Sequence, residues 1–262
     1  MLITSRSNPT VKKLIALQQK KYRAAYGEYL AEGEKMVSEC MASGGEITLL
    51  VFSESAQSRL SSDAGNVLLK ASMPVIILSD DLFEKVSGEK TPQGVMAVVR
   101  LPDGAVQPPE KSCLLLDGVS DPGNLGAIVR TANAAGYEEI YLIGCADPYS
   151  PKAVRASMSG VFHTKLYIGA EEEILSTLAG VPLVAADLDG QNVFSFVPPD
   201  KFCLVIGNEG HGIGAAVKSL AAYTVTIPMR RTQESLNAAV SAGIVMYALK
   251  RGDFEKTTEH NL

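Results

Sequence analysis

Short apolar runs alternate with helix-patterned segments over most of this chain, and that alternation sets the class of fold. Runs such as Ile47–Phe52, Val75–Leu78, Cys113–Leu116, Glu139–Ile143 and Phe202–Ile206 have strand length and little polar alternation. Strands of that kind are covered on both faces, as in a parallel sheet. A β/α order of this sort predicts an α/β fold. The rhythm breaks once, over residues 101–111, LPDGAVQPPEK, where three prolines and a glycine stand without periodicity. Such a stretch reads as a linker. The expectation is a small α/β amino-terminal domain over 1–100, a linker over 101–111, a mostly parallel-sheet α/β domain over 112–252, and a polar, frayed tail over 253–262.

Within the first domain, Asn8-Pro9 opens a helix, Asn8 as N-cap and Pro9 at the first helical position. Val11, Leu14 and Ile15 share one face and leave the lysines on the other. Tyr29–Glu32 and Gly94–Val99 read as strands. Glu34–Ser43, 55–70 and Asp80–Val86 read as helices. In the second domain, helices are expected over Asn124–Ala135, Pro151–Met158, Glu171–Leu178, Ile213–Leu220 and Leu236–Lys250. Further strands are expected over Thr164–Ile168, Leu183–Ala186 and Thr224–Ile227.

A 46% apolar and 20% charged composition excludes wholesale disorder. No run reaches the ~18 apolar residues of a membrane span, and the amino terminus lacks the apolar core of a secretory signal. The chain therefore reads as soluble and cytoplasmic. Cys40, Cys113, Cys145 and Cys203 are far apart with no CxxC, and there are three histidines. That pattern offers neither a disulfide framework nor a metal site. Net charge is −5, but residues 1–100 hold twelve basic against eleven acidic residues, and the rest twelve against eighteen. Seven of the basic residues fall within 1–35, among them Lys12, Lys13, Lys20, Lys21 and Arg23. A local basic face can hold a phosphate backbone. Charge alone describes a solvated helix face equally well.

Three loops at the carboxyl ends of strands gather glycine, proline and polar residues, the usual place for ligands in open α/β sheets. They are Leu116–Arg130, Leu204–Gly214 and Ile227–Asn237. The spacing in Gly207-Asn-Glu-Gly-His-Gly does not fit the dinucleotide pattern G-x-G-x-x-G. Its glycines suit a backbone that approaches a ligand closely, or simply a tight turn. Glu209 reads as either a helix N-cap or a ligand-facing acceptor, Arg130 as either an anion contact or a surface ion pair, and Ser235 and Asn237 as either helix caps or site residues. Asp187 and Asp189 read as a solvated turn. No G-x-S-x-G elbow is present, which counts against hydrolase chemistry.

The three blocks Asp121-Pro-Gly-Asn-Leu-Gly-Ala-Ile-Val-Arg-Thr-Ala, Leu204-Val-Ile-Gly-Asn-Glu-Gly, and Ile227-Pro-Met with Ser235-Leu-Asn237 resemble, in order and spacing, the SpoU (TrmH) group of RNA ribose 2′-O-methyltransferases, within the SPOUT class. The likeness covers about residues 113–250. Tyr29-Leu-Ala-Glu-Gly-Glu-Lys resembles the substrate-binding domain that precedes the catalytic domain in many members. Two departures stand in the third block: Arg230-Arg231 where a glycine is common, and Ala238-Ala239-Val240 in place of a Val-Ser-Val run.

The resemblance implies a knotted α/β domain, a homodimer with its site at the subunit interface, and S-adenosylmethionine as cofactor. Carried over, Gly207, Ile227 and Leu236 contact the cofactor, with Asn208 and Met229 nearby. Arg130 is assigned the ribose 2′-hydroxyl. An arginine is a poor base, its pKa lying above about 12. Phosphate clamping and stabilisation of a developing alkoxide suit it better, although the family proposal makes it a base. Asn124, Glu209, Ser235 and Asn237 would orient the ribose and the loops. The RNA would rest on Lys12, Lys13, Lys20, Lys21, Arg23, Arg230 and Arg231. Ribosomal RNA is expected ahead of transfer RNA, because a separate amino-terminal domain suits a structured substrate. The alternatives are a tRNA 2′-O-methyltransferase, a non-catalytic RNA-binding or ribosome-assembly factor on the same fold, and, from another class, a nucleotide-dependent oxidoreductase, against which the glycine spacing counts. No metal and no membrane are expected.

Overall fold

The computed structural model describes residues 2–61, 73–230, 232 and 235–259. In chain order the elements are β1 (Leu2–Ile3), α1 (Pro9–Ala16), α2 (Lys20–Tyr26), β2 (Glu28–Glu32), α3 (Glu34–Ala42), β3 (Ile47–Ser53), α4 (Glu54–Ser61), β4 (Val75–Leu78), α5 (Asp80–Val86), β5 (Val95–Arg100), β6 (Cys113–Asp117), α6 (Pro122–Ala134), β7 (Glu139–Ile143), α7 (Pro151–Ala156), α8 (Gly160–His163), β8 (Lys165–Gly169), α9 (Glu171–Thr177), β9 (Leu183–Asn192), β10 (Cys203–Ile206), α10 (Ala215–Ser219), β11 (Ala221–Thr226) and α11 (Ala238–Glu259).

The chain forms two compact units. The first holds residues Met1–Asp103 together with Asp147–Phe162; the second holds Gly104–Ala146 and His163–Leu262. The split at 103/104 falls inside the proline-rich stretch. The return of 147–162 to the first unit has no counterpart in the division expected along the chain. Its physical basis is packing: α7 lies on β2, Tyr149 packs its ring at 4.9 Å from that of Tyr29, and Asp147 pairs with Arg23.

The first unit has a five-stranded sheet in the order β1-β4-β3-β5-β2. Strands β1, β4 and β3 are parallel, whereas β5 runs antiparallel to both β3 and β2. The sheet is thus mixed, since β5 returns beside strands that run the other way. Val11, Leu14 and Leu17 are fully buried against Leu30, Val51, Phe83 and Val98. Helix α1 is capped as its sequence predicts, Asn8 Oδ1 accepting from Thr10 N at 2.8 Å. The expected helix over 55–70 is seen as α4, which ends at Ser61; its remainder lies outside the described residues.

The second unit has six strands in the order β11-β9-β10-β6-β7-β8, every pair parallel. Its central strands are wholly buried, with Cys113–Leu116 and Cys203–Val205 at or near zero exposure. Helices cover both faces, and α11 packs along α6. Several elements differ from the sequence expectation; strand β9 runs on to Asn192, so Asp187 and Asp189, expected in a solvated turn, lie in a strand, with Asp187 paired to Lys218. Helix α6 begins at Pro122, two residues early, because Asp121 caps it by accepting from Asn124 N at 2.8 Å. Helix α11 runs through Gly252 to Glu259, so the expected frayed tail is helical there, with Phe254 stacked on Tyr247 at 5.2 Å. No helix among the described residues is long and apolar enough to cross a membrane.

Candidate active site

The three loops singled out by sequence all belong to the second unit, and hydrogen bonds join them in series. Asn237 Nδ2 donates to Asn124 Oδ1 at 3.0 Å, and Asn124 Nδ2 donates to Glu209 Oε1 at 3.0 Å. Glu209 Oε2 accepts from Ser120 N at 3.3 Å and Ser120 Oγ at 3.2 Å. Asn237 Oδ1 also accepts from Ala239 N at 2.9 Å and Val240 N at 3.2 Å, so one side chain both caps α11 and reaches α6. Glu209 does not cap the following helix; Gly214 stands at the N-cap of α10. Partial burial works to raise the Glu209 pKa, but hydrogen bonds from Asn124 and the backbone N–H groups around it outweigh burial and hold the carboxyl below its ordinary range. At neutral pH this group accepts hydrogen bonds and is a weak base.

The middle loop closes on itself. Asn208 N donates to Gly212 O at 2.8 Å and Gly212 N to Asn208 O at 3.0 Å. At Gly207 a Cβ would sit 2.4 Å from the Gly212 carbonyl carbon, so no side chain fits. Asn208 ties the loop to its neighbours: its Nδ2 donates to Gly118 O at 2.7 Å, and its Oδ1 accepts from Gly210 N at 2.8 Å and His211 N at 3.0 Å. Buried Asp117 accepts from Gly214 N at 2.7 Å. Asp117 and Ser120 carry this architecture but were not singled out by sequence. Asp117-Gly118 was visible as a strand end; nothing marks Ser120.

Beside these loops lies a cleft of about 500 Å³. Gly207, Asn208, Ile227, Met229, Ser235 and Leu236 line it, together with Ile206 and Val245. Apolar residues and residues of the glycine-rich loop therefore line the same cleft. At another part of the lining, Lys218 pairs with Asp187 at 2.5 Å. Cys145 donates its Sγ–H to Leu116 O at 3.2 Å, and burial pushes its pKa up to about 11, so it stays a thiol. Among the described residues no cluster of His, Cys, Asp and Glu could hold a metal ion.

Not every candidate joins this constellation. Arg130 is exposed on α6, and six residues at ~100° each set it about 120° around the helix from Asn124. Arg230 is exposed; Arg231 lies outside the described residues. In the first unit, Lys12, Lys20 and Lys21 are exposed, while Lys13 forms an ion pair with buried Glu28. The expectation for Arg23 is overturned. Its side chain is only 4% exposed, donates to Asp147 Oδ2 through Nε at 2.9 Å and Nη2 at 2.5 Å, and to Leu17 O through Nη1 at 2.8 Å. Helix α2 turns this residue inward, away from the lysine face, so Arg23 is structural and not an RNA contact.

Comparison with known proteins agrees with this geometry. Residues 111–247 match the SpoU rRNA Methylase family, and residues 8–97 match the MRM3-like substrate binding domain. The chain is 32% identical, over 95% of its length and 98% of the relative's, to the 23S rRNA (guanosine(2553)-2′-O)-methyltransferase RlmP of Bacillus subtilis. It is 32% identical, over 95% of its length and 91% of the relative's, to the 23S rRNA (uridine(2479)-2′-O)-methyltransferase of Streptomyces viridochromogenes. The crystal structure of the SpoU methyltransferase AviRb from Streptomyces viridochromogenes with the cofactor AdoMet superposes with a TM-score of 0.86 at 30% identity, covering 94% of this chain and 98% of that one. An AdoMet-bound rRNA methyltransferase from Sinorhizobium meliloti superposes with a TM-score of 0.83 at 30% identity, covering 96% and 98%. With its motif loops joined around one cleft and more than half its length matched, the chain belongs to the SpoU rRNA methylase family.

Proposed function

We propose that this protein transfers a methyl group from S-adenosylmethionine to a ribose 2′-hydroxyl of ribosomal RNA. The observation that carries the reading is the hydrogen-bonded series Asn237–Asn124–Glu209–Ser120, which fixes three separate loops around the cleft. The cleft suits the cofactor chemically. Ile206, Ile227, Leu236 and Val245 offer apolar surface to an adenine ring, and the loop at Gly207, which excludes any side chain, offers polar backbone. The rRNA named as substrate of the relatives from Bacillus subtilis and Streptomyces viridochromogenes supports the choice of RNA.

When bound, S-adenosylmethionine supplies a methyl group already activated by its positive sulfur. The chain's own task is then the weakly acidic 2′-hydroxyl. Arg130 holds an adjacent phosphate and stabilises negative charge as it develops on the 2′-oxygen. Glu209, kept ionised, orients Asn124, and Asn237 fixes the start of α11 against them. Gly207, Ile227 and Leu236 hold the cofactor, with Asn208 and Met229 beside them, and Ser235 orients the third loop. The third motif loop and the loop 207–214 would form the family's knot; Ile227, Met229, Ser235 and Leu236 line one cleft with Gly207–Ile213, which supports this.

The functional particle in this reading is a homodimer with the site at the subunit interface. Arg130 stands apart from the Asn124–Glu209 series within one chain, and α11 exposes Val240, Tyr247 and Phe254 at spacings of seven, a stripe suited to a second copy. Lys12, Lys20, Lys21, Arg230 and Arg231 would meet RNA phosphates. Replacement of Arg130 by alanine tests the assignment. Arg130→Ala should fold, keep its affinity for S-adenosylmethionine by calorimetry and lose at least about 10²-fold in turnover. Near-normal turnover would refute the role.

A further inference from the structure

Residues 9–26, which carry α1 and α2, hold five basic residues and no acidic one, in a chain whose net charge is −5. Arg23 turns inward to Asp147, which leaves four lysines at or near the surface. Two tyrosines interleave with them. Tyr22 and Tyr26 are four residues apart and so share one face of α2. Their ring centroids lie 6.4 Å apart and their planes are within 24° of parallel. Lys21 Nζ stands 4.6 Å from the centre of the Tyr22 ring, and Lys13 Nζ stands 5.4 Å from that of Tyr26. The strip therefore runs ammonium, ring, ring, ammonium, all within the first unit.

Neither the core nor the helix accounts for this arrangement. Val11, Leu14 and Leu17 supply the buried apolar face of this region, whereas Tyr26 is 47% exposed. Lys20 and Lys21 stand in the first turn of α2, where the helix dipole disfavours cations, and Gln19 caps that turn with no side-chain hydrogen bond. Residues that break local rules together are expected at functional sites. Lys13 is anchored by its ion pair with buried Glu28, which fixes the cation beside the Tyr26 ring. Exposed rings flanked by cations suit one kind of partner: a ring face takes the face of a base, and an ammonium takes a phosphate. Double-stranded RNA hides its base faces in the stack and would leave the tyrosines unused. Unpaired bases present those faces.

We propose that the Tyr22–Tyr26 strip of α2 stacks an unpaired base of the RNA substrate, with Lys21 meeting a flanking phosphate. The inference rests on the reading of RNA as substrate. Neither tyrosine lines the methyl-transfer cleft, so the strip sets affinity for RNA and leaves the chemical step alone. Stacking of this kind is tolerant of base identity, because every base has a π-face. The strip therefore selects single-stranded over paired RNA and leaves sequence choice to other contacts.

The chain has no tryptophan, so Tyr26→Trp places a single fluorescent reporter in the strip. Titration of that full-length variant with a 12-nucleotide oligo(U) should quench its emission, and the oligo(A)·oligo(U) duplex at the same nucleotide concentration and salt should not. In the protein without the reporter, Tyr22→Leu with Tyr26→Leu should weaken oligo(U) binding at least about fivefold. The slope of log affinity against log salt should stay the same, since no cation is removed. Tyr22→Phe with Tyr26→Phe keeps both ring faces and should bind within about twofold of the unaltered protein. No quenching by oligo(U), equal quenching by the duplex, unchanged affinity of the leucine pair, or a phenylalanine pair as weak as the leucine pair would each overturn the proposal. Methyl transfer to rRNA is followed on the same preparations. If rRNA is methylated and the leucine pair shows an unchanged KM for RNA, the stacking assignment alone falls. If oligo(U) stacks but no RNA is methylated, the strip stands and the functional reading falls.

Discussion

Replacing Arg23 by methionine separates a structural arginine from an RNA-binding one. The substitution keeps much of the aliphatic volume and removes the guanidinium. In the folded unit that group is 4% exposed and makes three hydrogen bonds, two to Asp147 and one to Leu17 O. Its partner carboxylate is only 13% exposed. Losing one member of a buried pair strands the other and costs about 3–5 kcal/mol. In a unit of this size each kcal/mol moves the thermal midpoint by roughly 3–5 °C, so the transition should fall by more than ~10 °C. Urea unfolding followed by circular dichroism reads the loss directly. Asp147→Asn keeps a hydrogen-bonding group opposite Arg23 but strands the buried guanidinium charge, so it should cost a comparable amount. If Arg23→Met changes stability by less than about 0.5 kcal/mol, as an exposed residue would, the burial argument fails. Weakened RNA binding at unchanged stability would restore Arg23 to the RNA-binding face.

Four further outcomes follow from other parts of the molecule. Asn124→Asp would set a carboxylate against Glu209, so turnover should fall at least tenfold at neutral pH and recover in part on mild acidification, read as a pH–rate profile. In the unaltered protein the folded-state pKa of Glu209 is depressed, so its contribution is present above the ordinary value of 4.5 and is lost only as pH falls below it; cofactor affinity should hold down to that point. Ser159→Gly removes a side chain from a left-handed position and should stabilise the first unit by about 0.5–1 kcal/mol in urea unfolding, the relief of strain exceeding the added chain entropy. Replacing Lys12, Lys20 and Lys21 together by glutamine should reduce the slope of log affinity against log salt for RNA by about 2 if they meet phosphates, and leave it unchanged if they do not.

Much of this arrangement is legible in the sequence because it is written in local chemistry. Apolar runs gave the buried strands, Asn8-Pro9 the start of α1, and Asp80–Val86 the whole of α5. The three polar loops were placed at strand ends, and the structure joins them. What was hidden depends on contacts far apart in the chain. The charge of Arg23, among the basic residues of 1–35, points to a phosphate-facing surface; only its meeting with Asp147, 124 positions on, explains its burial. The same meeting draws 147–162 into the first unit although they lie between two strands of the second sheet. Gly252 and the polar residues after it promised a frayed end, but Phe254 stacks on Tyr247 and the helix continues. Ser120 carries no pattern of its own, and its role appears once Glu209 is brought to it, 89 residues away.

The central claim is that this chain methylates a ribose 2′-oxygen of ribosomal RNA, and the direct measurement is transfer of labelled methyl from S-adenosylmethionine to undermodified ribosomal or transfer RNA, with digestion to nucleosides. The account predicts label on a 2′-O-methylated nucleoside from ribosomal RNA, at one position, and none when Arg130 is replaced. Label on a base, label confined to transfer RNA, or absence of S-adenosylmethionine binding to the cleft would contradict it.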